Sequence, residues 1–252
     1  NDNFGWSVSI SGNYAIVGAL IEDEDASGQN TKLNAGSAYI FERNAATGNW
    51  NEVQKIVASD RAFSDFFGRS VSISGNYAIV GANAEDEDAS GQNSLNDAGS
   101  AYLFERDANG TWSEVQKIVA SDRAFGDFFG RSVSISGNYA IVGANAEDED
   151  ASGQNSLSDA GSAYLFERNA ITGNWSEAQK IVASNRDTTD YFGYSVSISG
   201  DYAIVGAYRE DEDASGQDSL LNAGSAYLFE RNATNGNWNE VQKIVASDRD
   251  SI

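Results

Sequence analysis

Four acidic segments carry the side chains with the clearest potential for chemistry, and each begins with the sequence Glu-Asp-Glu-Asp. Counted from Asp86, the second segment has oxygen-bearing side chains at positions 1, 3, 5, 9 and 12, with glycine at position 6. This is the ligand spacing of an EF-hand-like loop, in which alternate residues converge on one hard cation. The segments therefore predict calcium as the cofactor. The candidate ligands are Asp23, Asp25, Ser27, Asp86, Asp88, Ser90, Asp97, Asp148, Asp150, Ser152, Asp159, Asp211, Asp213 and Ser215.

A solvated acidic loop is the alternative interpretation of the same segments. Asn34 and Asn222 stand at position 12 in the first and fourth segments, where they would be weaker ligands than a carboxylate. No segment has the bidentate glutamate that usually closes such a loop. The near-identity of the four segments does not decide between the two interpretations, because duplication copies a functionless loop as faithfully as a metal site.

A second candidate site is a position that varies although the residues around it hardly change. It follows each of four Phe-Gly pairs, which begin at Phe4, Phe67, Phe129 and Phe192. We predict an exposed ligand-binding position there, occupied by Trp6, Arg69, Arg131 and Tyr194. For the Phe-Gly pairs themselves we favour packing between repeats over recognition. A recurring tryptophan is also more typical of packing than of sugar stacking; it occurs at Trp50, Trp112, Trp175 and Trp238.

The composition argues against most catalytic chemistry. The chain has no histidine and no cysteine, so the commonest general base and the thiol nucleophile are absent. Carboxylate-based hydrolysis stays open. It needs an asymmetric site, however, and nearly every acid here occurs in four equivalent copies. We therefore predict a protein that is not an enzyme.

These residues recur with a period of 62 or 63, so four tandem repeats fill the chain. In the second repeat, the residues 70–74 alternate small polar and β-branched side chains, and a two-residue Gly-Asn turn follows. We predict three more strands at 77–82, 99–106 and 112–119, the last with period-2 alternation, and essentially no helix. The lysine of the fourth strand, such as Lys117 beside Glu114, is expected to form weak surface pairs.

A single four-stranded unit buries too little surface to be stable, whereas stacked units in a ring bury their faces. The predicted fold is all-β: a propeller of four four-stranded antiparallel blades. We expect one domain over 1–252, with repeats at 1–63, 64–125, 126–188 and 189–252, and no strand shared between the two termini. The absence of methionine indicates a processed product or a piece of something longer, so a larger native ring stays open.

The net charge of −22 bears on the partners. Nucleic acids and anionic membranes need clusters of lysine and arginine, so neither is expected as a partner. No apolar run is long enough to span a bilayer, and no membrane insertion is expected.

The repeat resembles the FG-GAP family, the repeat of the integrin α-subunit propeller and of many bacterial secreted proteins. The residues that carry the resemblance are Phe67-Gly68-Arg69-Ser70-Val71, Ala78-Ile79-Val80-Gly81-Ala82 and Gly99-Ser100-Ala101-Tyr102-Leu103-Phe104. One departure concerns the metal: integrin-type repeats have a calcium loop between the first two strands, where this chain has only two-residue turns such as Gly75-Asn76. That family site cannot be transferred.

The resemblance implies a secreted or cell-surface propeller that binds a protein or glycan ligand. A structural scaffold within a larger surface protein is the alternative, and a carboxylate-based hydrolase is the least favoured one. Because the repeats are nearly identical, any blade could pack on any other, and self-association or domain swapping is expected.

Overall fold

The computed structural model describes residues 2–216 and 219–250, and in these ranges the regular structure is entirely β. The first sheet consists of β1 (Phe4–Ser11), β2 (Tyr14–Ala19), β3 (Ser37–Arg43) and β4 (Trp50–Ile56). The second consists of β5 (Ser70–Ser74), β6 (Tyr77–Ala82), β7 (Ser100–Arg106) and β8 (Trp112–Ile118). The third consists of β9 (Ser132–Ser136), β10 (Tyr139–Ala144), β11 (Ser162–Arg168) and β12 (Trp175–Ile181). The fourth consists of β13 (Phe192–Ser199), β14 (Tyr202–Ala207), β15 (Ser225–Arg231) and β16 (Trp238–Ile244).

Each sheet is one blade, built from four consecutive antiparallel strands. The four strands predicted in the second repeat are confirmed, and no blade borrows a strand from the other end of the chain. The strands of each blade fall within one of the four predicted repeats. The ends of the predicted domain, residues 1 and 251–252, lie outside the described residues.

Successive blades pack face to face along the chain, with the first strands β1, β5, β9 and β13 side by side. Three apolar clusters hold the stack together, one at each junction between neighbouring blades. At the second junction, Ile79 and Leu103 of one blade meet Phe129 and Val133 of the next. The four-bladed propeller arrangement is thus present, but the sheets do not close into a ring.

A β-bulge in the fourth strand of each blade corrects the prediction of strict alternation there. In the second blade Phe104 pairs with Glu114 but Leu103 pairs with Gln116, which leaves Val115 as the extra residue. Such an insertion shifts every following side chain to the other face. Glu114 and Lys117 consequently both face the preceding blade, where each finds a partner.

Close packing of the blades requires glycine at defined points. A Cβ atom on Gly81 would lie 2.1 Å from the carbonyl oxygen of Gly130 in the next blade. Gly130 itself has a φ of 89°, in the left-handed region. The Phe-Gly interpretation is confirmed, because Phe129 is fully buried at the junction while its glycine allows the backbones to touch.

Candidate functional site

The four acidic loops and the linkers between blades lie at the same edge of the stack, hereafter the acidic rim. In each blade, one loop joins the second strand to the third, and a linker joins the fourth strand to the next blade. Because successive strands run in opposite directions, both connections lie at that edge. The guanidinium of an arginine in each linker donates hydrogen bonds to backbone carbonyl oxygens of the acidic loop before it. Arg123 donates to the carbonyl oxygens of Asn93 at 2.7 Å and Asp86 at 2.6 Å. The rim is therefore a cross-linked surface made of repeated loops.

Within each loop, the carboxylate at position 3 is occupied by donors from the loop itself. Asp88 accepts hydrogen bonds from the backbone and hydroxyl of Ser90, from the Gln92 backbone and from the Asn93 amide. The hydrogen bonds from Ser90 and Asn93 hold the pKa of Asp88 well below its usual range. Asp25 and Asp150 make the same set of contacts. A calcium ion at this position would have to replace those donors.

The side chain at position 1 of each loop accepts a hydrogen bond from the backbone N–H at position 12. Asp86 accepts from the backbone N–H of Asp97 at 2.9 Å, and Asp97 has a φ of 54°. Asparagine and aspartate tolerate this left-handed conformation better than other side chains. This explains why position 12 is either asparagine or aspartate. The φ values at Asn34, Asp159 and Asn222 are 53–55°. The structure therefore assigns position 12 a backbone role, and calcium binding at the loop stays a prediction.

A different set of carboxylates converges at the junction between the first two blades. Asp60 of the linker, Glu85 and Glu87 place one oxygen each within 4.8 Å of one another. Glu85 is buried, and burial raises its pKa. Sequence spacing could not identify this set, because Asp60 belongs to the preceding repeat.

The lysine of the fourth strand lies in this cluster, which corrects the expectation of weak surface pairs. The side chain of Lys117 is only 7% exposed, and it contacts Asp60 at 2.7 Å and Glu85 at 2.8 Å. Its expected partner Glu114 instead accepts from the backbone and hydroxyl of Ser59. The physical reason is the bulge at Val115, which turns the lysine toward the preceding blade.

The same arrangement recurs at the other junctions with one change. Lys180 pairs with Asp122 and Glu147, and Lys243 pairs with Glu210 at 2.8 Å. At the third junction Asn185 replaces the linker aspartate and donates to Glu210. Each lysine thus offsets the charge of carboxylates that packing has buried.

The varied position is brought together in pairs across the junctions. The guanidinium of Arg69 lies 4.9 Å from the ring centroid of Trp6, and that of Arg131 lies 4.2 Å from the ring of Tyr194. Trp6 and Tyr194 are exposed, and the two arginines are half-buried. All four follow the Phe-Gly pair that begins each blade, so they form a row along the inner edge of the acidic rim. We call this row the cation–aromatic stripe.

In the fourth blade the stripe widens into an aromatic cluster that the sequence interpretation missed. Tyr208 lies 4.4 Å from Tyr194 and 5.6 Å from Tyr191, measured between ring centroids. Arg209 lies 5.1 Å from the ring of Tyr191. Tyr208 and Arg209 replace Asn83 and Ala84 of the second repeat and Asn145 and Ala146 of the third. The signal that identified the stripe, variation within a near-constant repeat, also marks these positions.

Three of the four recurring tryptophans have the predicted packing role, and Trp50 of the first blade does not. Trp112 is only 2% exposed, and its ring packs edge-on against Tyr14 of the preceding blade. Trp175 and Trp238 pack in the same way against Tyr77 and Tyr139. Sugar stacking is not open to these three side chains, because the preceding blade covers them.

The comparisons with known proteins agree with this architecture. The sequence model of the FG-GAP repeat matches residues 1–41, 50–104, 112–166 and 175–229. Each of the last three matches begins at the outer strand of one blade and ends in the third strand of the next, so it spans a junction. Propellers of this repeat are generally non-catalytic. No curated protein matches the chain. Since the repeat model covers most of its length, the chain belongs to the FG-GAP repeat family.

Proposed function

We propose that this protein is a non-catalytic binding module of a secreted or cell-surface protein, and that it recognises a protein or glycan ligand through the cation–aromatic stripe. The observation that carries the proposal is the stripe itself. Trp6, Arg69, Arg131 and Tyr194 line up on consecutive blades at one of the few positions where the repeats differ. Most of the groups that hold the blades together are copied from blade to blade, whereas this row changes.

The chemistry of the stripe suits recognition. Tryptophan, tyrosine and arginine are the residue types most enriched at binding hot spots, because they combine apolar area with a polar group. A guanidinium held over an aromatic ring keeps free N–H donors for acceptor groups of a ligand. The ligand chemistry that fits is a surface with a stackable apolar face beside hydroxyl or carboxylate oxygens.

The charge of the chain narrows the class of partner. With a net charge of −22, the protein repels nucleic acids and anionic membranes. The described residues contain no helix long and apolar enough to cross a membrane. Arg69, Arg131 and Arg209 are cations at the edge of an acidic rim, which directs an acceptor-bearing ligand to the stripe.

A catalytic alternative finds little support in the arrangement of the acids. A carboxylate-based hydrolase needs two carboxylates with different environments facing a substrate. Glu85 is buried against Lys117, and the loop carboxylate Asp88 is occupied by its own loop. Neither arrangement differs between blades in the way an asymmetric active site requires.

Direct binding measurements test the proposal. The chain is screened against an array of glycans and against purified extracellular matrix and surface proteins, and a hit is titrated with Arg131→Ala and Tyr194→Ala. Because hot-spot truncations typically cost about 2 kcal/mol or more and about 1.4 kcal/mol corresponds to a factor of ten, we expect each variant to bind at least about tenfold more weakly. Ile171→Ala is the control, since Ile171 is 96% exposed in a turn at the opposite edge.

Two results would count against the stripe. One is a ligand whose affinity is the same for the wild type, for both stripe variants and for the control. The other is the absence of any ligand in the screen, which would favour the structural-scaffold alternative. Thermal unfolding of each variant separates loss of binding from loss of folding.

Calcium enters the proposal as a stabilising ion. A ligand that binds only the folded state raises stability by about 2.7 kcal/mol at a concentration one hundred times its Kd. We therefore expect a higher unfolding temperature in millimolar calcium than with a chelator, and no such rise with magnesium. An unchanged unfolding temperature would contradict the calcium proposal.

Two substitutions distinguish the two carboxylate sets. Asp88→Asn removes a loop ligand and is expected to reduce the calcium effect if the ion binds the loops. Glu87→Gln removes a member of the junction cluster and is expected to leave the effect unchanged. The reverse result would place the ion among Asp60, Glu85 and Glu87, which converge in the structure.

A further inference from the structure

Every internal junction is made by the same set of contacts. At the second junction the hydroxyl of Ser70 donates to the carbonyl oxygen of Gly130 at 2.8 Å. The side-chain amide of Gln116 donates to the carbonyl oxygen of Trp175 at 2.8 Å and accepts from the backbone N–H of Trp175 at 2.9 Å. The first and third junctions repeat both features. The junction is therefore a standard interface, in which serine and glutamine side chains of one blade both donate to and accept from the backbone of the next.

The outer face of the fourth blade carries the same serine and glutamine side chains, but no blade of the described residues packs on it; we call it the trailing face. It carries Ser195, Ser197, Gly206, Gly224 and Gln242. A Cβ atom on Gly206 would approach only the Ser195 hydroxyl, whereas one on Gly81 would collide with the next blade. Within residues 2–216 and 219–250, no hydrogen bond joins the side chain of Ser197 or Gln242 to another group, although the equivalent side chains of Ser72 and Gln116 bond to the next blade.

The outer face of the first blade is the matching face, and no blade of the described residues packs on it; we call it the leading face. It carries Phe4, Val8, Ile10 and Trp50. Val8 and Ile10 are 70% and 66% exposed, whereas their equivalents Val133 and Ile135 are 8% and 5% exposed. Trp50 is 39% exposed, although the other three tryptophans of its kind are buried.

We infer that the trailing face of one chain docks onto the leading face of a second copy of the same chain. The argument is continuity with an interface that the chain already contains three times. Each group of the standard junction is present at the two ends. Phe4-Gly5 of the second copy would pack against the backbone at Gly206 and Gly224 of the first. Its Trp50 backbone would bond to the Gln242 side chain, and its Arg43 would lie over the Tyr202 ring.

The pairing is head to tail, so it closes only if the rotation per blade allows a ring. Two copies supply eight blades, which is within the usual range of four to eight for propellers. A closed pair would cover both leading and both trailing faces. It would also bury the eight exposed Val8, Ile10, Trp50 and Tyr202 side chains of the two chains.

Two variants block one face each. Gly206→Arg places a large side chain on the trailing face, and Val8→Glu with Ile10→Glu places charges on the leading face. Mass is measured by light scattering and sedimentation over a range of concentrations. We expect a dimer for the wild type and a monomer for each blocked variant. An equimolar mixture of the two variants is expected to form a dimer, because each contributes the face that the other lacks.

Ile171→Glu is the control, since it adds a charge at an exposed position away from both faces. It is expected to dimerise like the wild type. Circular dichroism and thermal unfolding verify that each blocked variant is folded, because both substitutions lie on an exposed face. A strictly monomeric wild type at high concentration would overturn the inference, and it would leave the two faces for further blades of a longer chain. Dimers that form equally well with both faces blocked would also overturn it.

Discussion

Three buried aspartates stand in the linkers that lead from one blade to the next: Asp65, Asp127 and Asp190. Asp127 accepts from the backbone N–H of Ala124 at 2.5 Å, and the other two make the equivalent contact. Burial raises the pKa of each to about 7, and nearby carboxylates add to the effect. These side chains therefore hold the linker turn in place, and the folded state favours their protonated form.

The raised pKa values predict how stability depends on pH. A carboxyl group with a pKa near 7 in the folded state and about 3.9 when unfolded binds more protons in the folded state between those values. Its contribution to stability is complete below pH 4 and is lost as the pH rises through 7. We expect the free energy of unfolding to fall between about pH 4 and about pH 7, by about 1.4 kcal/mol per group for each unit of pKa difference.

Asp127→Asn isolates one of the three groups. The amide oxygen can still accept from Ala124, but it does not ionise, so the pH dependence of the unfolding temperature should become shallower. Asp88→Asn is the control, because hydrogen bonds lower the pKa of Asp88 and it stays ionised throughout this range. A variant with the same pH slope as the wild type would show that Asp127 does not titrate there.

At the scale of elements, the fourth strand and the Phe-Gly entry to the first strand decide how blades meet. The bulge at Val115 directs Lys117 to the preceding blade, and Gln116 reaches the following one. On the inner side, Gly81 and Gly130 let two backbones touch. One blade therefore contacts both neighbours through its outermost and innermost strands.

A matched pair of glycine substitutions tests the backbone contact. Gly81→Ala would place a methyl group 2.1 Å from the Gly130 oxygen, and overpacking of this kind typically costs about 1–3 kcal/mol or more. Gly206→Ala stands at the same position of the fourth blade, where only the movable Ser195 hydroxyl is near. It should change the free energy of unfolding by less than about 0.5 kcal/mol.

Denaturant unfolding of both variants, at a concentration where the chain is monomeric, measures this difference. Equal destabilisation by the two substitutions would mean that alanine is disfavoured by the strand itself and not by the next blade. A large effect of Gly81→Ala alone would establish the backbone contact as the cause.

At the scale of the whole molecule, the protein is an open stack of four blades with a cross-linked acidic rim at one edge. Because each internal junction buries an apolar cluster, the two ends leave faces of the same kind uncovered. The cation–aromatic stripe runs across all four blades, so a ligand that spans several blades gains from repeated weak contacts. Both the binding proposal and the pairing of chains depend on this linear arrangement.

The sequence by itself determined the blade. Alternating side chains, two-residue turns and a 62- or 63-residue period were enough to predict sixteen strands in four sheets, because those signals are local. At the three junctions the Phe-Gly pairs and tryptophans were correctly assigned to packing, because large apolar side chains are stabilised by burial against the neighbouring blade.

Only the tertiary structure decided which side chains meet across the junctions. One cluster combines residues from two repeats: Asp60, Glu85 and Glu87, with Lys117 in contact with two of them. It depends on a β-bulge in the fourth strand that the residue pattern does not predict. The open ends were equally out of reach, since closure depends on the rotation between blades. Spacing along a chain fixes what one repeat can form, whereas contacts between repeats depend on how their faces are turned toward one another.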